Sequence, residues 1–156
     1  MLIRQATLND IPTLLQFEQG VITAERPFDS TLVAGAIKYY DLEMFINSPD
    51  VELLVAELDG ELVGSGYARI KKSEKPYFNY SDYAYLGFMY VSPQHRGKGI
   101  NQMIIGELKQ WAHKQGVTEL RLQVYSDNGA AVKAYEKTGF QKHMVEMRVR
   151  LDTTPQ

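Results

Sequence analysis

Two hydrophobic, β-branched runs at residues 51–58 and 61–70 form the clearest pattern along the chain, and Asp59-Gly60 separates them. Asp-Gly is the pair favoured in two-residue type I′ turns, so this segment predicts a β-hairpin. The run at 83–92 is apolar on both faces, which is typical of a central strand. A further short strand is predicted at residues 2–6, and residues 71–82 read as an extended, Tyr- and Phe-rich connection.

Hydrophobic residues at helical spacing predict two helices in the first fifty residues. The first begins at Asn9 or Asp10, has Pro12 in its first turn and ends near Gly20. Residues 21–29 are interpreted as a loop or a broken helix. The second helix is expected to begin near Asp29 or Ser30, both good N-cap residues, and to end before the breaker at residues 47–50.

The second half of the chain alternates helix and strand. A helical stripe at residues 100–113 ends at Gly116, and a strand is predicted at 119–125. A cap cluster at 126–128 precedes a helix that reaches residue 137, with Gly139 in the position of a C-terminal cap. Residues 140–151 are predicted as the last strand and 152–156 as a frayed tail. This order predicts a mixed sheet with helices on its faces.

Composition narrows the class of protein. A length of 156 residues fits one domain, 1–156, and 44% hydrophobic with 23% charged residues is typical of a globular chain. The net charge of −2 does not favour a nucleic-acid surface. The chain has no cysteine, no recognisable signal peptide and no apolar run of about 18 residues. We therefore expect a cytoplasmic protein without membrane or nucleic-acid partners.

The segment from Gln94 to Asn101 has the chemistry of an anion site. It joins a predicted strand to a helix N-terminus, where backbone N–H groups lack partners and the helix dipole is positive. Gly97 and Gly99 allow close approach of the backbone to a ligand, and two cations flank them. The segment does not match a Walker A loop or a dinucleotide fingerprint, and an ordinary strand-to-helix turn is the alternative.

Asn128 and Tyr135 are seven residues apart and lie on one face of the predicted helix, with the small Ala131 between them. A ligand could lie along that face, with a polar group at each end. The alternative is that Asn128 only caps the helix and Tyr135 only packs in the core.

Taken together, Gln94-x-x-Gly97-x-Gly99 and the later Asn128-x-x-Ala131-x-x-x-Tyr135-x-x-x-Gly139-Phe140 resemble the GCN5-related N-acetyltransferase superfamily. The resemblance implies an α/β fold of the α+β type, with a mixed, largely antiparallel sheet of six to seven strands and about four helices. It implies acetyl-CoA as the acyl donor and direct transfer to the primary amine of a small molecule or peptide. The implied CoA-binding residues are Met89, Tyr90, Val91, Gln94, Arg96, Gly97, Lys98, Gly99, Ile100, Asn101, Asn128, Ala131 and Tyr135. Family members often have glycine where Asn101 stands.

Catalytic roles follow from the chemistry of amine acetylation. Tyr135 is the candidate acid for the departing thiolate, and the N–H of Met89 or Val91 is the candidate donor to the carbonyl oxygen. Many family members carry an acidic residue near the end of the central strand, where this chain has Gly87 and Phe88. The general base is therefore open. The candidates are Glu25, Glu18 and a water chain ending at Tyr85.

Aromatic residues are more abundant than a core of this size needs, which suggests an acceptor cleft for an apolar or cationic molecule. The residues expected to bind the acceptor are Phe28, Tyr39, Tyr80 and Tyr85. His113 and His143 have no metal-like partners in the sequence, so no metal is expected, and a homodimer is left open. The missing strand carboxylate favours an alternative, a CoA-binding module without transferase activity. A nucleotide-binding switch is disfavoured because the Walker residues are absent.

Overall fold

A computed structural model describes residues 1–152 of the chain. One mixed sheet of five strands forms its centre, in the order β1-β2-β3-β4-β5, antiparallel except for the parallel pair β4–β5. The strands are Leu2–Gln5 (β1), Val51–Leu58 (β2), Glu61–Lys72 (β3), Asp82–Val91 (β4) and Leu120–Arg121 (β5). The helices are Ile11–Glu25 (α1), Leu42–Asn47 (α2), Ile100–Lys114 (α3) and Gly129–Lys137 (α4).

The predicted hairpin is confirmed. β2 and β3 pair in antiparallel fashion up to Leu58↔Glu61. Asp59 and Gly60 both have positive φ, at 52° and 81°, as a type I′ turn requires. The Asp-Gly pair therefore sets the register of β2 and β3.

Helices cover both faces of the sheet. The buried stripe of α3, which includes Ile104 and Leu108, packs with Leu86 of β4 on one face. Leu14 and Phe17 of α1 and Phe45 of α2 pack with Phe88 of β4 on the other face. The prediction that the central strand is buried on both faces is therefore correct. No helix within residues 1–152 is long and apolar enough to cross a membrane.

A β-bulge in β4 explains why Leu86 and Phe88 contribute to opposite cores. The register shifts between Ser65↔Tyr90 and Tyr67↔Gly87, so two β4 residues face one residue of β3. Phe88 has φ of 55°, and the Ser65 hydroxyl donates to its carbonyl oxygen at 3.0 Å. The bulge reverses which way the following backbone groups point, and this matters for the site.

The predicted boundaries of the first two helices are wrong. α1 continues past Gly20 to Glu25, and α2 begins at Leu42 rather than near Asp29 or Ser30. Residues 29–41 are irregular because side chains satisfy their backbone groups. Arg26 donates to the carbonyl oxygens of residues 33 and 35 at 2.9 and 2.6 Å, and Glu18 accepts two N–H groups.

The predicted sheet of six to seven strands is also too large, because five strands are present within residues 1–152. β5 covers two residues of the predicted strand 119–125, and residues 140–151 form no strand within the described chain. Residues 141–152 are exposed throughout. Of the predicted tail 152–156, residues 153–156 lie outside the described part, and the single domain 1–156 remains a prediction.

Candidate active site

The loop between β4 and α3 has the conformation of an anion cradle. A 3₁₀ turn at Pro93–His95 leads into Gly97 and Gly99, whose φ values are 78° and 76°. A Cβ built on either glycine meets nothing within 4 Å, so the backbone faces open space. Side chains are strained at these positive φ values, so glycine is the residue that this loop requires.

Unpaired amides line the start of α3. The first helical hydrogen bond runs from Met103 N–H to Gly99 C=O at 3.1 Å, which leaves the N–H groups of residues 100–102 without helical partners. Lys98 and Gln94 are exposed beside them, and Arg96 folds back to donate to Val91 C=O at 3.2 Å. The buried side-chain oxygen of Asn101 has no hydrogen-bond partner within residues 1–152. The free N–H groups and the nearby cations suit an anion, and the Asn101 oxygen suits a ligand that also carries hydrogen-bond donors.

An open edge of β4 continues from the cradle. β5 pairs with β4 only at Ala84 and Tyr85 and follows it no further. Ser92 N–H donates to Val63 C=O on β3 at 2.8 Å, so strand alternation turns the N–H of Val91 toward the open side. Met89, two residues back, presents its N–H on the same side. The N–H of Tyr90 turns back toward β3 by the same alternation. The Tyr90 ring lies 4.6 Å from that of Phe17 of α1.

α4 carries the second predicted motif. The Asn128 side-chain oxygen accepts from Ala131 N–H at 3.2 Å, so Asn128 caps the helix, as the structural alternative anticipated. Its amide NH2 is not used by that bond and remains available to a ligand. Ala131 and Tyr135 follow on the same face, and the Tyr135 ring packs edge-on against Phe140 at 6.0 Å.

Tyr135 is held in its protonated form. Burial raises the pKa of Tyr135 to about 12, and the negative charge of Glu25 and the Tyr85 phenol contribute to the rise. The Tyr135 hydroxyl has no hydrogen-bond partner within the described residues. A protonated phenol that is not otherwise engaged can donate a proton to an adjacent anion.

Glu25, at the C-terminal end of α1, lies in the same region. Burial raises its pKa above the ordinary value of 4.5, and a long contact of 3.5 Å from the Tyr39 hydroxyl opposes that rise. The charge of Glu25 raises the pKa of Tyr85 as well as that of Tyr135. The structure therefore brings together Glu25, Tyr39, Tyr85 and Tyr135, which come from four separate segments.

Glu18 cannot serve as a mobile base. It is 1% exposed, and one of its carboxylate oxygens accepts the N–H groups of Tyr39 and Tyr40 at 2.9 and 2.8 Å. Its role is to fix the irregular segment 29–41 against α1. Of the two glutamates singled out from the sequence, only Glu25 is available for proton transfer.

The absence of a carboxylate at Gly87 has a steric cause. A Cβ on Gly87 would lie 2.7 to 2.9 Å from ring atoms of Tyr67, which is too close for any side chain to be added without movement. Tyr67 and Phe88 are both buried in the core cluster formed with α1 and α2. A carboxylate side chain at position 87 would therefore have to displace the Tyr67 ring from this core.

The structure separates one of the four predicted acceptor residues, Tyr80, from the other three. Phe28 stacks with Tyr125 at 6.3 Å, Tyr39 contacts Glu25, and the Tyr85 hydroxyl donates to Gln123 at 3.4 Å. Tyr80 instead belongs to a second aromatic group around the Arg121 guanidinium, with Phe78 and Tyr83. Tyr80 is thus not brought together with the other three.

Asp29 and Tyr125 were not singled out as site residues from the sequence. The Tyr125 hydroxyl donates to Asp29 at 2.7 Å, and Thr31 also donates to that carboxylate. The hydrogen bonds from Thr31 and Tyr125 lower the pKa of Asp29 to about 2. No local pattern could have revealed this contact, because 96 residues separate its partners.

The amino-acid sequence is similar to those of known acetyltransferases. A family profile described as the acetyltransferase (GNAT) family matches residues 21–140. Thialysine N-epsilon-acetyltransferase of Sus scrofa is 31% identical over 149 residues, covering 89% of this chain and 83% of that protein. The chain spans only 24% of the length of an uncharacterized N-acetyltransferase of Bacillus subtilis and 65% of an acetyltransferase of Pectobacterium atrosepticum.

Solved structures share the fold. A mutant of the BH1408 protein from Bacillus halodurans superposes with a TM-score of 0.88 at 18% identity, covering 97% of this chain and 99% of that one. An aminoglycoside N-acetyltransferase, AAC(6′)-Iy, crystallised in complex with CoA, superposes with a TM-score of 0.71 at 18% identity, covering 96% of this chain and 99% of that one.

Proposed function

The chain belongs to the GNAT acetyltransferase family, and from that premise we propose that it transfers an acetyl group from acetyl-CoA directly to the primary amine of a small molecule or peptide. One observation carries the proposal. The open edge of β4 continues from the anion cradle, and Glu25 lies close enough to Tyr85 and Tyr135 for its charge to raise the pKa of both phenols.

The residues present fit acetyl-CoA. Gly97, Gly99 and the free amides of the first α3 turn suit a pyrophosphate, with Lys98 and Arg96 as neighbouring cations. The N–H groups of Met89 and Val91 on the open edge of β4 suit the carbonyl oxygens of a pantetheine arm. The Asn128 amide NH2, which the capping bond does not use, suits the same arm. Bound there, acetyl-CoA would supply an activated acyl group and a thiolate leaving group.

The chain's own groups then divide the proton transfers. Glu25 takes a proton from the acceptor ammonium or amine, for which its raised pKa makes it a better base than an ordinary glutamate. The N–H of Met89 or Val91 stabilises the charge that develops on the acyl oxygen. Tyr135, protonated at neutral pH, donates to the departing sulfur.

A cationic amine is the acceptor class that this cleft favours. Glu25 and Asp29 supply negative charge, and Phe28, Tyr39, Tyr85 and Tyr125 supply aromatic faces that attract cations. The names of two similar proteins refer to thialysine and to aminoglycosides, which supports a polyfunctional amine here. We also propose a cytoplasmic location, since a cysteine-free chain depends on no oxidising compartment.

The second candidate, a CoA-binding module without transferase activity, rests on Gly87, where a strand carboxylate would have to displace the Tyr67 ring. Calorimetry with acetyl-CoA followed by thiol release across a panel of amines separates the two. The panel should include diamines, lysine analogues, aminoglycosides and peptide amines. We expect binding and amine-dependent thiol release. Binding without turnover on the whole panel would favour the module, and no binding would contradict both.

A further inference from the structure

Two cations on β3, Arg69 and Lys71, have no acidic partner. Both side chains are half-buried, yet neither forms an ion pair or donates a hydrogen bond to any residue of the described chain. Withdrawing a charge from water costs free energy unless an opposite charge compensates it. These two residues, the β3 cations, therefore have capacity for an anion that comes from outside the chain.

The β3 cations lie on the face of the sheet that carries the proposed acceptor site. Side chains alternate along β3, so Arg69 and Lys71 share the face of Tyr67, which is buried in the core cluster formed with α1 and α2. The Arg69 guanidinium lies 6.0 Å from the centre of the Phe45 ring, and the Lys71 ammonium lies 4.7 Å from the centre of the Tyr85 ring. Arg69 is also the residue opposite Tyr85 in the pairing of β3 with β4, so both cations lie beside this tyrosine.

Tyr85 connects the β3 cations to the groups of the proposed proton transfers. Its hydroxyl donates to Gln123 at 3.4 Å, and the charge of Glu25 reaches the phenol and raises its pKa. The Lys71 ammonium, by contrast, covers the face of the ring. Tyr85 thus has a negative group and a positive group beside it, which is the charge pattern that a zwitterionic ligand requires.

A third cation on this face is already occupied. Arg121 of β5 lies opposite Tyr85 on the other side of β4. Its guanidinium forms an ion pair with Glu119 at 3.3 Å. It is also surrounded by three aromatic rings, those of Phe78, Tyr80 and Tyr83. The positive charge available to a ligand is therefore concentrated on the β3 side of Tyr85.

We propose that the amine acceptor also carries a carboxylate, which Arg69 and Lys71 bind while Glu25 faces the amine. The inference rests on the proposed acetyl transfer and names its acceptor class, a diamino acid. The planar guanidinium of Arg69 is suited to both oxygens of a carboxylate, and the Lys71 ammonium adds a point charge. Because Lys71 occupies the face of the Tyr85 ring, it repels a second ammonium from that face and directs the reacting amine toward Glu25.

Spacing favours a side-chain amine of the acceptor over an α-amine. Glu25 and Lys71 both lie near Tyr85, but they form no ion pair with each other within residues 1–152. A ligand that contacts both must therefore hold its amine and its carboxylate apart. In an α-amino group and its carboxylate a single carbon joins the two charges, whereas a flexible chain separates the side-chain amine of lysine or ornithine from the carboxylate.

Paired acceptors that differ only in the carboxylate test the inference. Initial rates of thiol release are compared for lysine against cadaverine and for ornithine against putrescine, the diamines that lack the carboxylate. Wild type should favour the carboxylated member of at least one pair by roughly 10- to 100-fold in kcat/KM, as expected for hydrogen bonds between charged groups. Equal kcat/KM within both pairs, or turnover confined to amines without a carboxylate, would overturn the inference and leave the proposed transfer standing. Thiol release that no amine accelerates would overturn both.

Lys71→Met tests whether the β3 cations cause the preference. Methionine keeps an apolar chain over the Tyr85 ring and removes the charge, so the ratio of kcat/KM for the preferred pair should fall roughly 10-fold, chiefly through a higher KM for the amino acid. Lys71→Glu should reverse the ratio, which a loss of packing alone would not do. Lys72→Met is the matched control, because Lys72 is exposed on the opposite face of β3, and it should keep the wild-type ratio.

The ratio also separates a binding defect from a folding defect. Both acceptors are measured on one preparation, so a loss of folded protein cancels from the ratio. The same ratio in Lys71→Met as in wild type would overturn the assignment. Phosphoethanolamine against ethanolamine tests a phosphate in place of the carboxylate, and a preference larger than that for the amino acids would assign a phosphate to the β3 cations and overturn the carboxylate.

Discussion

The donor and acceptor sides of the cleft are built in different ways. The proposed cradle for acetyl-CoA comes from contiguous backbone, in which two glycines with positive φ lead into the first turn of α3. The acceptor side is assembled from distant segments, as in the hydrogen bond between Asp29 and Tyr125 or the two amides held by Glu18. In the proposed function, binding of the donor would thus depend on one local stretch of the chain, whereas recognition of the amine would depend on tertiary packing.

The largest effect is expected at the cradle. Gly97→Val places a β-branched side chain at φ of 78°, strains the loop and covers the amides that face the phosphates. Acetyl-CoA affinity should fall by roughly 1000-fold, as expected for the loss of two hydrogen bonds to a charged group. Calorimetric titration with acetyl-CoA measures the change.

Gly60→Val is the matched control, since Gly60 has φ of 81° in the β2–β3 turn and also has no atom within 4 Å of a Cβ. It should cost stability and leave acetyl-CoA affinity unchanged. Equal loss of affinity in both variants would mean that strain, and not the cradle, accounts for the effect.

The second-largest effect is expected at Tyr135, where the donor and acceptor sides of the proposed site meet. Tyr135→Phe keeps the ring that packs against Phe140 and removes the proton donor, so kcat should fall by about 10- to 1000-fold. Acetyl-CoA affinity should change little. Tyr77→Phe, which removes an exposed phenol, is the control and should leave kcat as it is. An unaltered kcat in Tyr135→Phe would remove this tyrosine from the mechanism.

A smaller effect is expected from the proposed base. Glu25→Gln should lower kcat/KM by roughly 10- to 100-fold at neutral pH. Because burial raises the pKa of Glu25, wild-type kcat/KM should decline as pH falls through a value above 4.5, and the variant should lack that limb. The raised pKa also predicts an effect on stability. Burial disfavours the ionised form of Glu25 in the folded chain, so Glu25→Gln should be more stable than wild type at pH 7. An acid limb that persists in Glu25→Gln would assign the base elsewhere.

The smallest effect concerns Asp29. Its pKa is lowered to about 2 in the folded chain, so ionised Asp29 stabilises the fold above its ordinary pKa of 3.8, and that contribution is lost as pH falls toward 2. Asp29→Asn should therefore unfold at a lower temperature than wild type at pH 6, with the difference shrinking near pH 2. Asp127→Asn, at an exposed carboxylate, is the control. A difference independent of pH would show that the charge of Asp29 does not matter.

The conformation of the proposed donor loop was largely predictable because its signals are local. Gly97, Gly99 and the helix that follows them form a continuous stretch, and the Asp59-Gly60 turn fixes a hairpin through two residues. The acceptor side was not predictable in the same way. Asp29 and Ser30 are good N-cap residues, yet Arg26 and Glu18 satisfy backbone groups of segment 29–41 and no helix forms there.

The strand count failed for a related reason. Residues 140–151 have a strand pattern, but within residues 1–152 they belong to no strand of the sheet. Side-chain alternation records which residues could share a face, and it does not record whether a neighbouring strand is in reach. The bulge at Phe88 was equally hidden, since it depends on the pairing of β4 with β3.

Two-substrate initial-rate kinetics tests most directly whether donor and acceptor meet in one cleft. Acetyl-CoA and the amine that gives the fastest thiol release are varied against each other, and the protein is assayed for acetylation with the donor alone. Direct transfer predicts intersecting double-reciprocal lines and no acetylated protein. Parallel lines with an acetylated residue would contradict it, because the acetyl group would then pass through the enzyme before any amine was bound.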